Sequence, residues 1–197
     1  VHNYGINGIG TVVEYLLFST EIKKLLRPDD VVILMFCNND FADNVDRKKA
    51  HAEAANGEVK IVNPAKPLTS PVADYLKNHS YLVNFIWYRA DLYRLTRVNR
   101  KQEDEALGRT IAETDERFAV PRYLLAKFQA DCEAAKARFV VAHIPTQEEF
   151  SEARSNRPNK LANEKARAET LFSITGALHI ETIDLLPGFL ARKNKTG

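Results

Sequence analysis

Glycine is scarce in this chain: there are eight in 197 residues, and Gly5, Gly8 and Gly10 crowd into one short stretch, NYGINGIG. Cysteine is scarcer still. Cys37 and Cys132 lie far apart, with no CxxC partner and no histidine at metal-ligand spacing, which excludes a disulfide framework and a zinc ribbon. Two buried thiols or a single bridge both remain open, and with them the redox compartment. No apolar run approaches the ~18 residues of a membrane helix, and no signal-peptide pattern is present. Neither sign of charge dominates. The 28 Lys and Arg nearly cancel the 26 Asp and Glu, and a net +2 makes no case for nucleic acid. What is there, 45% apolar and 27% charged residues, is the make-up of an ordinary globular protein long enough to bury a core. The chain starts at Val1, in a segment that reads as a strand, and is expected to be a single domain over 1–197, incomplete at both ends. Compartment and oligomeric state are not legible.

Hydrophobic spacing sets out the elements. Val13, Leu16, Leu17, Ile22, Leu25 and Leu26 form a helical stripe. It must stop near Arg27-Pro28, because proline disfavours helical geometry in the residue before it. VVILMF, Val31 to Phe36, is apolar throughout, as expected of a strand buried on both faces of a parallel sheet. Asn38, Asn39 and Asp40 follow at once, with Asp43 and Asn44 just beyond. From about 45 to 118 the chain reads as a long, partly helical insertion packed over one edge of the sheet. Lys48–Lys60 is charged and alanine-rich, and Pro64, Pro67 and Pro71 break the chain. Val72–Val98 is helical, with Leu82, Phe85, Tyr88, Leu92 and Leu95 on one face.

Pro121 is placed to open the next helix at its first turn, with Leu124, Leu125, Phe128, Cys132 and Ala135 as its apolar face. FVVAHI, Phe139 to Ile144, is a second buried strand, and Thr146 and Glu149 have capping-box spacing for a helix directly after it. Ser155–Asn163 reads as loop and Glu164–Thr175 as helix, with Gly176 as a left-handed cap and His179–Leu185 as the last strand. This is α/β order, which favours a parallel sheet with helices on both faces. Ligands of such sheets bind beyond the carboxyl ends of the strands. Asn3–Gly10 and Cys37–Asp40 both fall there.

A dinucleotide fingerprint needs G-x-G-x-x-G; here the order is reversed, G-x-x-G-x-G, with no Walker lysine after it. Taken alone, the glycines read as the shape of a strand-to-helix turn. Taken with the second loop they read differently. Asn3-x-Gly5-x-x-Gly8, paired with Cys37-Asn38-Asn39-Asp40 after the neighbouring strand, resembles the second and third blocks of the SGNH, or GDSL, hydrolase family of esterases and acyl-transfer enzymes. RPDDVVILMF, YLKNHSYL, AHIPTQEEF and IETIDLLPGF follow in the order one branch of that family shows, so the resemblance spans nearly the whole chain.

The resemblance implies a three-layer α/β/α fold with a flavodoxin-like parallel sheet, whose first strand is absent from this chain. It implies serine acyl transfer on an ester or acyl group of a small molecule or carbohydrate, without a cofactor or metal. Gly8, through its backbone N–H, and Asn39, through its side-chain amide, are the implied oxyanion-hole donors, with Asn3 and Asp40 in support. The family's serine stands in a Gly-Asp-Ser block ahead of the segment where this chain starts, and its base in an Asp-x-x-His block beyond IDLLPGF. Neither block occurs here, and Cys37 stands where the third block has glycine. Nucleophile and base are therefore expected from outside this chain, and the 197 residues alone are expected to be inactive. A doubly wound α/β module that binds a ligand or partner without catalysis is the competing expectation.

Other residues invite weaker readings. His79-Ser80 are adjacent on a helix and point apart, so they read as a capping or packing pair. His143 and His179 read as structural. Asn38, Asn39, Asp40, Asp43 and Asn44 offer oxygens for a divalent cation but lack the glycine and distal glutamate of a calcium loop. Arg89, Arg94, Arg97, Arg100 and Lys101, interleaved with Trp87, Tyr88, Leu92, Tyr93 and Leu95, read as the solvated face of a helix rather than a membrane or nucleic-acid surface.

Overall fold

The apolar stripe that begins after Gly10 forms a helix. In the computed structural model, which describes residues 1–4, 10–46, 50–55, 58–62, 79, 80, 85, 89, 111–150 and 158–196, α1 spans Thr11–Leu17. It runs on through a π turn at Phe18–Ile22 and a 3-10 turn at Lys23–Leu25. The Ser19 and Thr20 hydroxyls both donate back to the Leu16 carbonyl, at 3.1 and 2.8 Å, where the helix widens into the π turn. Leu26 is already extended, two residues ahead of Pro28.

The described chain divides into two compact units, Val1–Asn63 with Gly108–Gly197, and Pro64–Leu107. The first holds a parallel three-stranded sheet of order β1 (Val31–Cys37), β4 (Arg138–Ile144), β5 (Glu181–Asp184). It is a mixed α/β arrangement. The register places Phe36, His143 and Asp184 side by side in one row, and Met35, Ala142 and Ile183 in the next. Val32, Leu34 and Phe36 with Phe139 and Val141 share one face, because paired residues of a sheet point the same way. That face joins a core with Phe18 of the first helical run, Leu125 and Phe128 of α3 (Glu116–Ala134), and Leu171 and Ile174 of α5 (Pro158–Ala177).

The opposite face departs from expectation. Val31, Ile33 and Met35 are 48, 54 and 46% exposed, so β1 is buried on one face and not on both. An uninterrupted apolar run reports the strand but not which of its faces is covered. The expected strand ending at Asn3 is also absent: Val1–Tyr4 is exposed and pairs with none of the described strands, and extended backbone becomes a strand only against a neighbour.

Three further expectations are corrected. His51–Ala55 (β2) and Glu58–Val62 (β3) form an antiparallel hairpin inside the alanine-rich segment. It packs through Ala52 on Val12, Val120 and Leu124, and Ala54 N–H donates to Glu116 Oε1 at 2.8 Å. Next, α3 starts five residues before Pro121, because Asp115 caps it by accepting from Arg117 N–H at 2.8 Å; Pro121 lies inside. The Arg117 guanidinium in turn holds the Asp115 carboxyl below its usual range. Finally, α5 starts at Pro158, so Pro158–Asn163 is helical. It ends past Gly176, in a left-handed turn at His179 (φ 55°), where Ile180 N–H donates to Thr175 O and His179 N–H to Gly176 O.

α4 (Gln147–Phe150) follows β4 directly, and Glu149 Oε2 accepts from Thr146 N–H at 2.8 Å, the return bond of a capping box. α6 (Leu186–Thr196) follows β5. No helix among the described residues is long and apolar enough to cross a membrane. In the second unit, Arg89 lies over the Phe85 ring at 5.4 Å, each of the two residues being helical. Leu82, Tyr88, Leu92 and Leu95, and the rest of the basic run, lie outside the described residues.

Candidate functional site

Where β1 ends, the chain turns through Asn38 and Asn39 into α2 (Asp40–Asp43). Asp40 closes that turn. Its Oδ2 is buried and accepts from Cys37 N–H at 2.9 Å, a local bond that short acidic side chains are suited to make. Asn39 is exposed, and its Nδ2 donates to Asp43 Oδ2 at 2.8 Å. Asn44, fully buried, accepts from Val12 N–H through Oδ1 at 3.0 Å, and so satisfies one of the unpaired amides at the start of α1.

Gly10 is the reason this docking is possible. A Cβ there would lie 2.9 Å from Asp43 Cβ and 3.1 Å from Asn44 Oδ1, closer than a side chain tolerates. The end of the glycine-rich stretch therefore abuts the turn that carries Asn39. Gly8 lies outside the described residues, and Asn3 is on the exposed first segment. Of the residues singled out from the sequence, Asn39 and Asp40 stand together at the end of β1, with Gly10 and Asn44 against them.

The electrostatics of this corner are acidic and partly unsatisfied. Thr11 Oγ1, Glu14 Oε2 and Asn44 Nδ2 are buried without a hydrogen-bond partner among the described residues. Burial, and then the charge of Asp40, push the Glu14 carboxyl up to about 7. Burial, Asp40 and Glu14 together push the Cys37 thiol up to about 11. Both cysteines are free, which decides between thiols and a bridge.

A second polar group lies one strand over and was not assembled from the sequence. His143, almost wholly buried, has Nδ1 3.3 Å from Asp184 Oδ1 and Nε2 3.3 Å from Asn38 Oδ1. Asn38 Nδ2 donates to Glu149 Oε2 at 3.2 Å and to Glu164 O at 3.1 Å. Each member was visible in the sequence as a strand-end or capping residue. Only the row Phe36, His143, Asp184 brings them together.

Within the Asn38–Asn44 stretch, Asn38 Oδ1 faces His143, Asp40 Oδ2 accepts from Cys37 N–H, Asp43 Oδ2 from Asn39 Nδ2 and Asn44 Oδ1 from Val12 N–H. Set against protein-family models, curated proteins and solved structures, the chain gives no match.

Proposed function

We propose that this chain is part of an SGNH-type hydrolase that acts on an ester or acyl group by serine acyl transfer, with the Gly8 amide and the Asn39 carboxamide as oxyanion donors. The observation that carries the reading is the docking of Gly10 and Val12 onto the turn that bears Asn39, at the carboxyl end of β1. It supports a common site for the two short blocks that resemble that family.

The chemistry follows from charge. Attack by a serine oxygen turns the ester carbonyl oxygen into an alkoxide, and donors fixed beforehand stabilise it. Losing one such donor typically raises the barrier by about 2.7–4 kcal/mol. A glycine lets the carbonyl approach its amide, and a carboxamide donates at any pH. In this role Asn39 exchanges its Asp43 partner for the oxyanion, while Asp40 holds the turn through Cys37 N–H. The serine and the Asp–His pair come from outside these residues, which alone do not turn over substrate. A three-layer, flavodoxin-like sheet belongs to the same proposal: the apolar face of Val31, Ile33 and Met35 is the surface its further layer would cover. Acetyl groups on a carbohydrate or small molecule are substrates of the right class.

The test is turnover of p-nitrophenyl acetate by the complete reading frame and its Asn39→Ala variant. A loss of about 100-fold or more in kcat is expected, and unchanged turnover removes Asn39 from the site. One observation favours a non-catalytic binding module instead: the Asn39 carboxamide is already engaged by Asp43. That reading requires a full gene without serine and histidine blocks, which its flanking codons report.

A further inference from the structure

The end of β4 carries a buried polar group that the acyl-transfer scheme leaves unemployed. Its arrangement can be read from its partners. Asn38 Nδ2 faces two acceptors, Glu149 Oε2 at 3.2 Å and Glu164 O at 3.1 Å, which fixes the orientation of the amide and turns Oδ1 toward His143 Nε2 at 3.3 Å. A carbonyl oxygen only accepts, so Nε2 holds a proton. On the other side of the ring, Nδ1 faces Asp184 Oδ1 at 3.3 Å. Asp184 Oδ1 is fixed in turn by Leu186 N–H at 3.0 Å. The ring is thus held at both nitrogens, by Asn38 on one side and Asp184 on the other.

We propose that Asn38 is the positioning residue for Asn39, held from one side by His143, whose ring is itself placed by Asp184, and from the other by Glu149 and the Glu164 carbonyl. The inference rests on the oxyanion role proposed for Asn39. Asn38 and Asn39 are consecutive, Asn38 is fully buried and Asn39 exposed, so the anchor and the presented group share one turn. The groups around the ring are Asp184 from β5 and, through Asn38, Glu149 from α4. Glu164 of α5 stands next along with its Oε1 on Arg167 at 3.3 Å, and Phe172 packs edge-on at 5.5 Å.

The test uses the complete protein in three forms: unaltered, Asn38→Ala and Asn39→Ala. In Asn38→Ala, the Ala42 and Asp43 amides, which donate to Asn39 O at 3.0 Å, are expected to exchange at least about tenfold faster. Its kcat is expected to fall about 100-fold with KM changed less than about twofold. Unchanged exchange overturns the anchor. Faster exchange with unchanged kcat, while Asn39→Ala is impaired, overturns the positioning role. If Asn39→Ala itself turns over normally, the oxyanion reading falls, and the anchor is judged by exchange alone.

Discussion

Replacing Glu14 with Gln is expected to stabilise the protein above neutral pH and to change little below pH ~4.5. Glu14 lies on α1, with Oε2 buried and without a partner among the described residues, and burial followed by the Asp40 charge raises its carboxyl from 4.5 to about 7. The native protein therefore keeps a proton that the unfolded chain releases between those values. Stability from this group is full below 4.5 and declines as pH rises toward 7, after which the ionised form remains a liability. The span from 4.5 to about 7, at about 1.36 kcal/mol per pH unit, sets a ceiling of about 3.4 kcal/mol. The side chain is partly exposed, and screening brings the expected effect to about 1–2 kcal/mol. Gln keeps the shape and removes the charge. Urea titrations of both forms at pH ~4.5 and pH ~8 measure it: the variant should gain about 1–2 kcal/mol at the higher pH and almost nothing at the lower. An equal shift at both pH values, or a loss at the higher one, refutes a buried, strained carboxylate at this corner.

Gly10→Ala should cost about 1–3 kcal/mol in the same titration, since the new methyl meets Asp43 Cβ at 2.9 Å and Asp43 backbone at 3.3 Å; a neutral effect means the two segments are not in contact. His179→Gly should gain about 1 kcal/mol, because His179 holds φ 55° in the turn after α5, and no gain places that turn elsewhere. Cys132 is wholly buried, and burial with Asp131 and Glu133 pushes its thiol up to about 12; Cys37, half-buried, stands at about 11. Iodoacetamide at pH ~7.5 should label Cys37 slowly and Cys132 only on unfolding. Rapid labelling of Cys132 contradicts its burial.

Period and punctuation made the sheet legible. VVILMF and FVVAHI are strands because short apolar runs ended by Asn, Asp or Pro fit little else, and Thr146 with Glu149 marked the helix start. Burial of β1 on one face was not legible, since an apolar run looks the same whichever neighbours cover it. The β2–β3 hairpin was missed because alanine and charge masked it; the signal was Asn56-Gly57, two residues between the paired Ala55 and Glu58. Pro121 misled because a proline suits a helix start, whereas Asp115 supplied the stronger cap five residues earlier. At the site, Asn39 and Asp40 could be picked out by type and position. The Asn38–His143–Asp184 chain could not, for it depends on the register of three strands distant in sequence.

The central claim is that Gly8 and Asn39 hold the same oxygen. It is tested most directly by a crystal structure of the complete protein inhibited with an alkyl phosphonate, whose phosphoryl oxygen mimics the alkoxide. The expected result is the Gly8 amide and Asn39 Nδ2 both about 2.7–3.1 Å from that oxygen, with the Asp43 bond released. A phosphonate bound while Asn39 stays on Asp43, or with Gly8 turned away, contradicts the account.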